Sequence, residues 1–177
     1  RSRVTATAAN GGTVWATDVA PSNERRSDAS GGGLAVGGGR LFVTTGFGEL
    51  TALDAASGGE LWTQDLDAPG GAAPTVFGDL VYLTARDSTA WAIEADTGRI
   101  RWQLTGTPSP SGFDGGAGPA VNSELAIFPF SSGQIVAAFR QGGLQRWSSF
   151  VTGERVGSVA ANVVDIAGDP VIRGDRV

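Results

Sequence analysis

The residues able to do chemistry in this 177-residue chain are few and almost all of one kind. It contains no Cys and no His, which removes a thiolate nucleophile, a Ser-His-Asp triad, a haem held by His or Cys and an ordinary zinc site. Catalysis would have to rest on carboxylates. The close pairs Asp65/Asp67, Glu94/Asp96 and Asp165/Asp169 are the candidates for a hard cation. Calcium wants about six or more converging oxygens, and none of these pairs supplies them. Glu94 moreover stands where the sister repeats carry Asp54 and Phe139, so its expected work is in a turn. No catalytic residue, no cofactor site and no metal site is assigned.

Charge and hydropathy narrow the classes further. The net charge is −5, and the 13 basic residues, all Arg, are scattered with only Arg25 and Arg26 adjacent. That pattern argues against a nucleic-acid partner. No segment approaches the roughly eighteen apolar residues of a spanning helix, and no signal peptide opens the chain. With no Met at all, the chain is expected to be a fragment or a trimmed form of a longer product. It begins just before an outer-strand hairpin and stops inside the second strand of a new unit.

The elements that must position any site come from a repeat. A thirty-residue unit occurs three times, over 33–62, 73–102 and 118–147. Each opens on a short apolar segment, runs through a longer one (Leu41 to Thr45, Val81 to Ala85, Ala126 to Phe130), and returns through a third. Each closes on a Gly four residues before a Trp. These pairs are Gly58/Trp62, Gly98/Trp102 and Gly143/Trp147, with an earlier one at Gly11/Trp15. Runs of four to six residues rich in Val, Ile, Leu, Phe and Thr, bounded by Gly, Asn, Asp and Ser, are strand signals and too short for helices. A period of this length predicts a repeat array. The turns Ala55-Ala-Ser-Gly58 and Ala95-Asp-Thr-Gly98 place Gly where a positive φ is required, and Ser57 or Thr97 beside it to bond the local backbone.

The predicted fold is all-β: a β-propeller of four-stranded antiparallel blades, PQQ-like or WD40-like, with about four blades present of an expected eight. One partial domain, 1–177, divides into the end of one blade plus its connector (1–32), three blades with connectors (33–72, 73–117 and 118–168) and the start of the next (169–177). Trp15, Trp62, Trp102 and Trp147 are expected to fill the wedges between blades, each burying a large ring while its N–H finds a carbonyl.

Variation between units points to a binding face. The connectors that follow Trp15, Trp62, Trp102 and Trp147 hold 17, 10, 15 and 21 residues, whereas the turns within units keep their length. In a propeller these connectors emerge on one face, and insertions gathered there mark a binding surface. The segment 105–117 sets Phe113 beside Asp114 among small residues; Phe113 is read either as an anchor for a partner or as a cap over the blade end. The segment 150–168 carries Arg155 and Asp165 around an apolar stretch, either an interface or a short extra strand.

The hairpins Leu53-Asp-Ala-Ala-Ser-Gly-Gly-Glu-Leu-Trp62 and Ile93-Glu-Ala-Asp-Thr-Gly-Arg-Ile-Arg-Trp102 resemble the repeat of PQQ-type β-propellers. That repeat is shared by quinoprotein dehydrogenases, sensor ectodomains and the BamB family of outer-membrane assembly lipoproteins. The last third is similar to the BamB pattern: Ser132-Gly-Gln-Ile-Val-Ala-Ala-Phe-Arg-Gln-Gly-Gly-Leu-Gln-Arg-Trp147, then Gly157-Ser158, Asp165 and 169–177.

The resemblance implies a non-catalytic periplasmic scaffold of the β-barrel assembly (BAM) machinery. It would lie at the periplasmic face of the outer membrane of a Gram-negative bacterium, tethered by a lipid on a Cys that is not in this chain. The family docks on the POTRA domains of BamA through loops of one face, and the residues matching those positions are Phe113, Asp114 and Asp165. Phe113 falls where the family has an apolar contact. Asp114 falls where a basic residue is familiar, and Ala167 replaces an acidic residue near Asp165. A further suggestion attached to the family is that nascent outer-membrane strands pair with the outermost strands. Two other readings stand beside this one: a PQQ-dependent quinoprotein dehydrogenase, with calcium and a carboxylate base near the axis, and a propeller that binds or senses a small ligand.

Overall fold

The computed structural model describes residues 3–21, 32–108, 116–151, 166, 168–174, 176 and 177. Among them there is no helix. Fourteen strands form four antiparallel sheets, each a meander in chain order. The first is a two-stranded hairpin, β1 (Arg3–Thr7) and β2 (Thr13–Asp18). The second holds β3 (Leu34–Gly37), β4 (Arg40–Thr44), β5 (Glu49–Asp54) and β6 (Glu60–Asp65). The third holds β7 (Thr75–Phe77), β8 (Leu80–Thr84), β9 (Thr89–Glu94) and β10 (Ile100–Thr105). The fourth holds β11 (Ala120–Val121), β12 (Leu125–Pro129), β13 (Gln134–Phe139) and β14 (Gln145–Phe150). The result is a partial β-propeller of all-β blades. The second strands begin and end one residue earlier than the apolar runs suggested; just past two of those ends the N–H groups of Thr45 and Ala85 donate to the carbonyls of Glu49 and Thr89, where the chain turns into the third strand.

The two middle strands of each four-stranded sheet are apolar on both faces, so the sheets stack face to face. Successive side chains point to opposite faces of a strand, which explains how one strand serves two interfaces. Leu41 and Val43 of β4, with Leu53 of β5, pack towards β1–β2 against Val4, Trp15 and Val19. Phe42 of the same β4, with Leu50 and Ala52, packs the other way against Val81, Leu83, Trp91 and Ile93. Leu80, Tyr82, Ala90 and Ala92 then meet Phe128, Phe130, Val136 and Ala138 of the fourth sheet. The fourth strands are half-exposed and leave Leu61 and Ile100 in contact with solvent, as is Leu144 in the turn just before β14.

All four hairpins that join third and fourth strands carry the same irregularity. Ala6, Ala52, Ala92 and Ala137 lie opposite Trp15, Trp62, Trp102 and Trp147, whereas the next pair inward skips a residue. The skipped residues are Val14, Leu61, Arg101 and Arg146. A bulge of this kind re-aims the side chain that follows it, and here that side chain is always the Trp.

Candidate interaction face

The bulge, the Trp and the hairpin Gly together make one docking device, used between successive sheets. Trp15 Nε1 donates to Ala55 O at 3.2 Å, Trp62 Nε1 to Ala95 O at 3.1 Å, and Trp102 Nε1 to Arg140 O at 2.9 Å. Each acceptor lies three residues before a hairpin Gly of the following sheet: Gly58, Gly98 or Gly143. Those glycines have φ of +73°, +75° and +70°. A Cβ on any of them would lie within 3.0 Å of the ring of Trp15, Trp62 or Trp102 respectively. Glycine is therefore required twice, for the left-handed backbone and for the close approach of the indole. The Gly that a Trp uses is thus the Gly of the next unit, not the one four residues before it. The repeat shows both residues but only the stacking shows which belong together. Trp91 in β9, 3% exposed, is a core residue that the repeat does not flag, because the sister positions hold Thr51 and Val136.

Turn chemistry accounts for the carboxylates nearest these glycines. Asp54 Oδ1 accepts from Ser57 Oγ and from the Ser57 amide, both at 2.7 Å. Those bonds, the hydroxyl first, hold the Asp54 carboxyl below its ordinary pKa. Glu94 Oε2 accepts from Thr97 Oγ1 at 2.7 Å, and its other oxygen lies 3.4 Å from Arg101. Asp96 pairs with Arg40 of the neighbouring sheet at 3.0 Å. Asp65 Oδ1 accepts from the Asp67 amide. Among the described residues no three His, Cys, Asp or Glu side chains are placed so that they could hold a metal ion.

The opposite end of the sheets gathers the connectors. The connector after β6 lies down on the turns beneath it: Leu66 N donates to Gly48 O, Gly70 N to Thr45 O, Gly71 N to Thr84 O and Arg86 N to Pro69 O. Leu66, Ala68 and Ala72 are buried there. The following connector is fixed at both of its described ends. Gly106 N donates to Ser88 O, Thr107 N donates to Gln134 Oε1, and Gly116 N donates to Gly71 O. Phe113 and Asp114 fall between those ends, and they and Asp165 lie outside the described residues. Where the sheets begin, backbones approach closely: Thr44 Oγ1 donates to Ala72 O at 3.0 Å, Thr75 Oγ1 to Pro119 O at 2.6 Å, and Gly118 N to Asp169 Oδ1 at 2.7 Å. Asp169 is thereby a backbone clamp.

One acidic recess, of about 340 Å³, opens between β2 and the second sheet, lined by Asp18, Glu49, Glu60, Thr51 and Thr63. Burial first, and then the charges of Asp65 and Glu60, push the Glu49 carboxyl above its ordinary pKa.

A family model described as PQQ_2, outer membrane protein assembly factor BamB, matches residues 1–177. The outer membrane protein assembly factor BamB of Moranella endobia is 28% identical over 123 residues, covering 62% of this chain and 30% of that protein. A quinoprotein ethanol dehydrogenase of Pseudomonas putida is 26% identical over 98 residues, covering 50% of this chain and 15% of that protein. The crystal structure of BamB from Moraxella catarrhalis superposes with a TM-score of 0.77 at 22% identity, covering 93% of this chain and 48% of that one, a likeness of fold. The chain therefore spans less than half the length of each of these relatives. With the repeat, the stacked sheets and a match along its whole length in agreement, the chain belongs to the PQQ_2, outer membrane protein assembly factor BamB, family.

Proposed function

We propose that the chain is part of a non-catalytic scaffold of the outer-membrane β-barrel assembly machinery. It acts at the periplasmic face of the outer membrane and docks on the POTRA domains of BamA through the connector face. The observation that carries this reading is the family match over residues 1–177. The structure supports it physically. Connector ends pinned to rigid sheets present a stable platform, as a recognition surface needs. In this reading Phe113 is the apolar anchor and Asp165 selects a basic patch on the partner, within a rim that is wet and sensitive to salt.

The test is calorimetric titration of the chain with BamA POTRA domains at low and moderate salt. Saturable binding that weakens with salt and is lost in Asp165→Arg supports the scaffold. Absence of binding by a folded chain sinks it. A quinoprotein reading draws support from the dehydrogenase relative, but the described residues do not fit it. They place no three carboxylate, imidazole or thiol groups where they could hold the calcium, and the sequence has no Cys for a disulfide over the cofactor. Addition of PQQ and calcium, followed by the cofactor's absorbance and dye-linked alcohol oxidation, decides between the two.

A further inference from the structure

The connectors after β6 and β10 set out from equivalent places and then diverge. Leu66 N donates to Gly48 O and Gly106 N to Ser88 O, so residues 66 and 106 stand in register. Ala68 is then buried at 4% exposure, whereas Thr107 and Pro108 are exposed. The first connector folds back on its own turn, where Gly70 N donates to Thr45 O, before it reaches the third sheet at Gly71. The second crosses at once to the fourth sheet: Thr107 N donates to Gln134 Oε1 at 2.7 Å, and Gly106 lies against the Phe130 ring.

The residue beneath each connector differs as well. A Cβ on Gly48 would lie 3.3 Å from the C and O of Ala68 and 3.4 Å from its N, tighter than ordinary van der Waals contact. The flat course of the first connector therefore fits above a glycine. The fourth sheet has Gly133 at the same turn position, and the third sheet has Ser88.

Ser88 is strained and unsatisfied at once. Its φ is +66°, in the left-handed region where Gly48 and Gly133 stand at +88° and +76°, a conformation unfavourable for most L side chains. It is 1% exposed, and its Oγ has no hydrogen-bond partner among the described residues. The other described non-glycine with positive φ is Asp67, an exposed residue of a type that tolerates it. Strain of this kind persists where the surrounding structure demands it and gathers at functional positions. Since no bond of the hydroxyl accounts for Ser88, the bulk of its Cβ is what the position uses.

We propose that Ser88 is a positioning residue of the connector face: its Cβ keeps residues 106–108 off the turn and directs them onto the fourth sheet. Its part in recognition rests on the scaffold reading. A connector laid flat, as in the second sheet, presents a different surface to BamA, and Ser88 excludes that arrangement without touching the partner itself.

Hydrogen exchange followed by NMR on the 177-residue chain, with Ser88→Gly and Ser88→Ala, tests the steering in the absence of BamA. In Ser88→Gly the connector can lie as 66–72 does. The Thr107 amide then loses its bond to Gln134 and should exchange about fivefold faster or more, while the Leu66 amide keeps its rate. Ser88→Ala retains the Cβ and should match the wild type. Relieved of strain and of an unpaired hydroxyl, Ser88→Gly should also melt about 2–4 °C higher, so a lost fold does not explain its behaviour. A Thr107 amide indifferent to Ser88→Gly, or loosened equally in Ser88→Ala, would overturn the proposal.

Calorimetric titration with BamA POTRA domains then reads recognition. Ser88→Gly should bind about fivefold more weakly, as a connector no longer pre-organised does, and Ser88→Ala as tightly as the wild type. Saturable binding of equal strength in all three would remove Ser88 from recognition. Absence of binding by the wild type sinks the scaffold reading, and the part in recognition with it; the exchange rates alone then decide the steering.

Discussion

The hairpin end and the connector end of the sheets follow opposite rules. At the hairpin end three wedges repeat one solution, with a bulge, an indole on glycine and an N–H to a carbonyl three residues before that glycine. At the connector end the segments share a first bond (Leu66 N to Gly48 O, Gly106 N to Ser88 O, Val151 N to Gly133 O) and then differ in length and in what holds them, as with Thr107 N to Gln134 Oε1, which the described sister segments do not copy. The difference teaches that cohesion and recognition are separated in space. A unit can change its partner-facing segment while its contact with the next unit stays intact, as expected of quasi-one-dimensional repeats.

Substitutions at the two ends should therefore behave differently. The largest effect is expected from Trp102→Ala, which empties a wedge packed against Tyr82 and Phe128. Loss of about 3–5 kcal/mol is expected from large-to-small core replacement, read by urea unfolding. Gly98→Ala comes next, at about 2–4 kcal/mol, since it adds strain at positive φ to a collision with Trp62. Gly39→Ala shares the backbone strain but meets no neighbour and should cost only about 1–2 kcal/mol. Equal losses at Gly98 and Gly39 would show that the indole contact contributes nothing.

Glu49→Gln probes the acidic recess and should raise stability slightly at neutral pH. The Glu49 pKa is raised in the folded chain, so its charge opposes folding above that native pKa. The advantage of Gln should shrink as pH falls through the raised value towards 4.5, where the native carboxyl is already protonated. Urea midpoints across that range would show it, and a Gln advantage that grows on acidification would contradict the sign. The smallest stability effect belongs to the connector end. Phe113→Ala and Asp165→Arg should each weaken POTRA binding while moving the melt by no more than about a degree or two. A large fall for Phe113→Ala would make that ring part of the core.

Much of this was legible in the residues, for a physical reason. Short apolar runs and glycine at tight turns act locally, so the strands of each unit and the four Trp positions could be read off directly. Which glycine each Trp meets could not, because that contact joins residues of successive units and depends on how sheets stack. Trp91 was equally hidden, being a large ring where Thr51 and Val136 stand in sister sheets. The connector residues were legible only as departures from the repeat. Length variation marks where they are and says little about what Phe113, Asp114 and Asp165 touch.

The meander within every sheet has a consequence for how the molecule is made. Among the described strands hydrogen-bonded neighbours are always consecutive, and the indoles of Trp15, Trp62 and Trp102 each find their glycine in the unit synthesised next. None of the three four-stranded sheets has to wait for a distant strand before it can close. During vectorial synthesis from the N-terminus, each blade can be completed and clamped as its successor leaves the ribosome. The growing end then exposes one unsatisfied indole at a time, which confines the interval of aggregation risk to a single repeat.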